Sequence, residues 1–186
     1  MTITRENAWE LLNEYTKTDT LIKHALAVEA AMKVYAEKNG EDVEKWSVTG
    51  LVHDFDYEKF PTVEGHPAKG NEILKEKGYP EDICEAIMGH AVYSGVERKT
   101  LMAKTLFAVD ELAGFVMACA YVRPDKLAGM KPKSVKKKLK DKRFAEKVSR
   151  EDIELGIQGL GVDKDEHIAL VIESLQGIAG ELGMEN

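Results

Sequence analysis

The 186-residue sequence contains only two cysteines, too few for a disulfide framework. Cys84 and Cys119 both fall within helical apolar patterns, where a free thiol behaves as a small hydrophobe, so both are read as reduced core residues. Long hydrophobic runs are missing as well. The longest apolar segment, AGFVMACAYV from Ala113 to Val122, has ten residues, against the roughly 20 that a membrane crossing needs. The opening MTITRENAWELL has no cationic stretch leading into an apolar run, so no secretory leader is expected and a soluble cytoplasmic protein is the expectation. No stretch alternates apolar and polar residues with β-branched enrichment, which argues against strands. Internal repeats, low-complexity tracts and linkers are also absent, and at this length the chain can bury a real core without staples.

Positive charge is scarce except in one place. The net charge is −7, yet residues 131–150, KPKSVKKKLKDKRFAEKVSR, carry ten Lys or Arg against Asp141 and Glu146. That local balance of +8 leaves −15 for the rest of the chain. An acidic body speaks against general nucleic-acid binding, while one basic segment could meet an anion.

Helical periodicity is what the sequence does have. Leu21, Ala25, Val28, Met32 and Tyr35 form one stripe, and Asn39-Gly40 supplies its stop. A second helix is expected over about 43–55. Pro67 and Pro80 fit the first turns of two short helices, the first with Ile73 and Leu74 inward, the second with Ile83, Ile87 and Ala91 on one face. Leu106, Ala113 and Met117 mark the most apolar helix, which should be central. Val135 and Leu139 give the basic segment a narrow apolar edge. Ile168, Ile172, Leu175, Ala179 and Leu182 mark a terminal helix, capped by Asp163 or Asp165. The expectation is an all-α bundle forming a single domain over residues 1–186.

Polar residues interrupt these apolar stripes. In LVHDFDYEKF, His53 and Asp54 follow an apolar pair at the end of a helix. His24 lies at the edge of the first stripe, His90 shares a face with Ile83, and Asp110 sits between Leu106 and Ala113. Each has an ordinary explanation. A lone histidine on an apolar face is more often a hydrogen-bonded core residue than a ligand. Asp110 could answer Lys104, His66 could cap the helix after Pro67, and His53 could pair with Asp54. Together they point elsewhere, because burying several imidazoles and carboxylates among Leu, Ile and Val is costly unless a cation compensates. His167, in the first turn of the last helix, is read as structural.

The ordered set of His24, LVHDFDYE, GHPAKGNEIL, IMGH and AVDELAGF, spanning about 19–122, resembles the HD superfamily of metal-dependent phosphohydrolases. The resemblance implies an HD-type helical bundle with a central metal site, with the basic segment 131–150 and C-terminal helices 151–183 packed on its core. It implies His24, His53, Asp54 and Asp110 as ligands of a first metal. His66 and His90 match the added histidines of a two-metal subgroup in which the aspartate of the doublet, here Asp54, bridges the ions. Two divalent ions, from among Mn, Fe, Zn and Mg, are the implied cofactors. Where many two-metal relatives read His-Asp-Ile-Gly-Lys, this chain has His-Asp-Phe-Asp-Tyr, so no lysine role carries over.

The leading expectation is hydrolysis of a small phosphorylated substrate, a nucleotide or other phosphate ester, by a metal-activated water. Asp56 and Glu58 are the nearest unassigned acids and could position that water or protonate a leaving oxygen beside Asp54; either could also be a solvated residue at a helix end. Lys133, Lys137 and Lys140 share a helix face and could meet substrate phosphates, or form a solvated helix face. Two other readings stand beside this one: a di-iron oxygenase acting on an alcohol or phosphonate, and a non-catalytic nucleotide sensor. The oligomeric state stays open.

Overall fold

The computed structural model describes residues 3–185, and every regular element among them is helical. In chain order they are α1 (Arg5–Tyr15), α2 (Asp19–Asn39), α3 (Val43–Val52), α4 (Ala68–Glu76) and α5 (Glu81–His90). After a short 3-10 turn at Val92–Ser94 come α6 (Leu101–Tyr121), α7 (Pro132–Leu139), α8 (Arg150–Leu160) and α9 (Lys164–Gly177). The all-helical expectation is met.

The apolar stripes explain which helices lie inside. Val109, Leu112, Ala113, Phe115 and Val116 of α6 are fully buried, and α2, α5, α7, α8 and α9 all pack against that helix. Helix α2 lies between α3 and α6, presenting Ala27, Val28, Ala31 and Met32 with no exposed surface. Its end is local chemistry: Gly40 takes φ +69° and its N–H returns to the carbonyls of Ala36 and Glu37, a left-handed turn that glycine adopts without strain. Two backbones approach closely enough to demand glycine. A Cβ at Gly50 would lie 2.9 Å from Glu29 Cα, and one at Gly156 2.7 Å from Ala108 Cα, so α3 and α8 can seat tightly on α2 and α6.

Several boundaries differ from the sequence expectation, each for a visible reason. Helix α3 stops at Val52 rather than near Phe55, because His53 Nδ1 donates back to the Gly50 carbonyl at 2.7 Å and Thr16 Oγ1 takes the Phe55 carbonyl at 2.9 Å. The chain then runs in turns from His53 to Lys59. Pro67 and Pro80 precede their helices as N-caps instead of entering the first turn. Asp163, not Asp165, caps α9, accepting from the N–H groups of Asp165 and Glu166, and that helix ends at Gly177, leaving Ala179 and Leu182 in the turns beyond. Cys84 and Cys119 are free and buried. Among the described residues no helix is long and apolar enough to cross a membrane.

Candidate metal centre

Five elements converge on one point. His24 comes from the second turn of α2, His53 and Asp54 from the end of α3, His66 from the turn before α4, His90 from the last residue of α5, and Asp110 from the middle of α6. Asp54 stands at the centre, and its two oxygens face different partners. Oδ2 lies 3.5 Å from His53 Nε2 and 3.9 Å from His24 Nε2. Oδ1 lies 3.1 Å from His90 Nε2 and 3.2 Å from His66 Nε2. Asp110 Oδ1 closes the first side, 3.0 Å from His24 Nε2 and 3.4 Å from His53 Nε2. Two triads therefore share Asp54: with His24 and His53, and with His66 and His90, the ligand atoms of each lying within 4.8 Å of one another.

The imidazoles are oriented from behind. His53 Nδ1 meets the Gly50 carbonyl at 2.7 Å, His90 Nδ1 the Ile87 carbonyl at 2.5 Å, and His66 Nδ1 the Asp56 carboxylate at 2.8 Å. A carbonyl or carboxylate oxygen only accepts, so each Nδ1 carries a proton and each ring turns Nε2 inward, where it offers a lone pair whenever that nitrogen is unprotonated. Two of those inward nitrogens, on His66 and His90, are 3.2 Å apart, and the fully buried His53 Nε2 has no hydrogen-bond partner among the described residues. Facing lone pairs and an orphaned buried nitrogen are unfavourable unless a cation or protons lie between them.

The spacing fits a metal. With bonds of about 2.1 Å, adjacent donors around a tetrahedral or octahedral ion sit about 3.0–3.5 Å apart, and most of the distances above fall there. Protons are the alternative occupant. Burial alone would depress the His53 pKa, but the carboxylates of Asp54 and Asp110 raise it well above the ordinary histidine value. Burial likewise opposes charge on His66, whose pKa its hydrogen bonds to Asp54 and Asp56 lift to about 9. Burial disfavours ionised Asp54 and Asp110, yet the surrounding imidazoles hold both below the usual carboxylate range, Asp54 well below it. The pocket is built for positive charge.

The site opens into a cleft of about 380 Å³, lined by the ligands other than His53 and by Tyr57, Val92, Tyr93, Phe107, Glu111, Val148 and Asp152 among others. Tyr93 donates from its hydroxyl to the His66 carbonyl at 3.0 Å, and the Tyr57 ring stands edge-on to the His66 ring. Glu111 accepts from the Ser149 N–H at 3.1 Å, and burial, with Asp110 adding to it, pushes its carboxyl up to about 7. The neighbourhood of Glu111 to Asp110 was visible in the sequence. Nothing in the sequence marked Asp152, which a separate helix brings to the cleft.

The other sequence candidates lie elsewhere. Asp56 is buried, bonded through one oxygen to His66 Nδ1 at 2.8 Å and through the other to the Gly70 N–H at 2.9 Å, and it is not among the residues that line the cleft. Glu58 accepts from the N–H groups of Lys17 and Thr18 at 2.8 and 3.0 Å, tying the turn to the start of α2. Lys133, Lys137 and Lys140 are exposed on or just after α7 and do not line the cleft; Lys137 borders a separate hollow with Arg123 and Asp141. Asp110 pairs with His24 and lies against His53, and not with Lys104. His167 is held between the Tyr35 hydroxyl at 2.6 Å and the Ala108 carbonyl at 2.9 Å, inside the bundle.

Asp56 acts through His66, and that makes a prediction. A Cβ at Gly70 would sit 2.5 Å from Asp56 Cγ, so Gly70→Ala must displace the carboxylate and release His66 Nδ1. Loss of such an outer partner typically weakens metal binding about 10–100-fold. Gly70→Ala and Asp56→Ala should both show that loss in a metal titration followed by calorimetry, with helical content retained; unchanged affinity in both would remove Asp56 from this role.

A helical bundle with an imidazole and carboxylate pocket at the floor of a cleft defines a candidate metal-binding helical protein. The chain belongs to the HD domain family, whose model matches residues 21–114 and so takes in all six converging side chains. Members of that family are usually metal-dependent hydrolases that bind divalent ions. The chain is also 32% identical over 98 residues to ribonuclease Y of Nitratidesulfovibrio vulgaris, in strain DP4 and in strain Hildenborough. That match takes in 52% of this chain but only 18% of the relatives' length. No solved structure matches the chain significantly.

Proposed function

We propose that the protein is a dinuclear metal-dependent phosphohydrolase that cleaves a phosphate ester of a small metabolite, a nucleotide being the favoured substrate. The observation that carries this reading is the division of Asp54, one oxygen toward His24 and His53 and the other toward His66 and His90. A carboxylate so placed can serve two cations at once. When bound, divalent ions would supply a water of lowered pKa and would take up charge on the phosphoryl oxygens.

The chain's own groups do the rest. The Gly50 and Ile87 carbonyls and Asp56 fix three ring orientations, so the ligands need no rearrangement to bind. Burial of His53, His66 and His90 keeps water from competing with them. The cleft, whose lining includes the exposed Tyr57 and Tyr93, has room for a substrate body beside the metal ligands.

The test is metal analysis coupled to a phosphate-release screen over nucleotides and sugar phosphates, on protein purified without air. Two divalent ions per chain with phosphate released is the expected result. A redox-active iron pair that consumes dioxygen on alcohols or phosphonates, without phosphate release, would replace this reading with the oxygenase.

A further inference from the structure

Among the described residues, none lining the cleft is cationic apart from the histidines of the metal centre. Its lining includes four acids, Asp54, Asp110, Glu111 and Asp152, and neither lysine nor arginine. Two divalent cations held with Asp54 and Asp110 would leave two positive charges, which one phosphate monoester dianion neutralises. Any further phosphate would enter a cleft whose lining adds the acids Glu111 and Asp152 and no compensating cation. These two acids are fixed together: the Ser149 N–H donates to Glu111 Oε2 at 3.1 Å, while Ser149 Oγ accepts from the Asp152 N–H at 3.1 Å. A carboxylate such as that of Asp152 only accepts hydrogen bonds, so this part of the wall repels an anion and rewards hydroxyl or amino donors. Tyr57, Val92 and Tyr93, also in the lining, offer half-exposed apolar surface to a flat or apolar body.

Resting on the phosphohydrolase reading, we propose that this cleft selects esters bearing a single phosphate on an otherwise uncharged body with hydrogen-bond donors, and rejects nucleoside polyphosphates and RNA. Asp152 is the specificity residue, reaching the cleft from α8, outside the part of the chain that the family model matches.

The experiment compares kcat/KM of the metal-loaded protein for nucleoside and sugar monophosphates, the matching di- and triphosphates, and a short single-stranded RNA. Like charges facing one another across a contact are strongly disfavoured, so the best monophosphate should exceed its triphosphate and the RNA by about tenfold or more. Asp152→Lys should narrow that gap at least several-fold by raising triphosphate turnover, and Asp152→Asn, which keeps the side chain's size, should narrow it less. A parent enzyme that turns over triphosphate or RNA as well as monophosphate overturns this selectivity while leaving the hydrolase reading intact, as does a gap that neither variant moves. Metal-loaded protein with no turnover on any of these substrates overturns the hydrolase reading itself and the selectivity with it.

Discussion

Asp54→Asn is expected to lower kcat/KM by on the order of 10³-fold or more, about 4 kcal/mol of transition-state stabilisation. The substitution keeps the size of the side chain and replaces one carboxylate oxygen by an NH2 group that only donates. Whichever way the amide turns, it puts N–H groups where a cation would sit against either the His24 and His53 pair or the His66 and His90 pair. One triad must therefore lose its carboxylate. Elemental analysis of the variant should find at least one ion fewer per chain, and phosphate release should fall to background while circular dichroism keeps its helical signal. A variant with full metal content and parental turnover would show that Asp54 does not join the two sets of histidines.

How far the sequence reveals this arrangement depends on the kind of signal. Periodicity carries α2 and α6 because their apolar residues recur over six turns, longer than any accident of composition. Helix α1 also carries a readable signature, with Thr4 accepting from the Asn7 N–H as its cap and Ala8, Leu11 and Leu12 buried on one face. Arg5 then ties α1 to the buried Glu29 of α2 through Nη2 at 2.9 Å. In the site, the six converging residues stand out because each interrupts an apolar stripe, a conflict between burial and polarity that is local and therefore legible.

The roles of Asp56 and Glu58 are different in kind. Both are acids in a turn two and four residues after Asp54, and their partners lie 10 to 41 residues away in sequence. Only the path of the chain decides that Asp56 turns down to His66 and Gly70, and that Glu58 turns out to Lys17 and Thr18. The placement of the basic segment is decided in a similar way. Its charge invites an anionic partner, yet Val135 and Leu139 commit α7 to the far part of α6 and to α9, where Lys136 pairs with Asp165 at 2.6 Å. Hydrophobic anchoring sets where a charged helix sits, and here that is away from the cleft.

The same competition between burial and charge fixes how the protein should respond to metal. Metal-free protein, stripped by a chelator, must satisfy Asp54 and Asp110 with protons on the histidines. For His66, whose folded-state pKa is about 9 against an ordinary 6.5, the stabilisation is complete below pH 6.5 and is lost as pH rises through about 9. Metal-free stability should thus decline over that window. A metal must displace those protons, so its affinity climbs across the same interval. At a free ion concentration about 1,000 times Kd the stabilisation is about 4 kcal/mol, and for a chain of this size that raises Tm by roughly 8–16 °C. Scanning calorimetry with Mn²⁺ or Zn²⁺ added back should show the full shift near pH 8 and a much smaller one near pH 6. The opposite trend, or a Tm indifferent to metal at both values, would mean that the buried imidazoles are held by protons alone and that the converging side chains are a structural network.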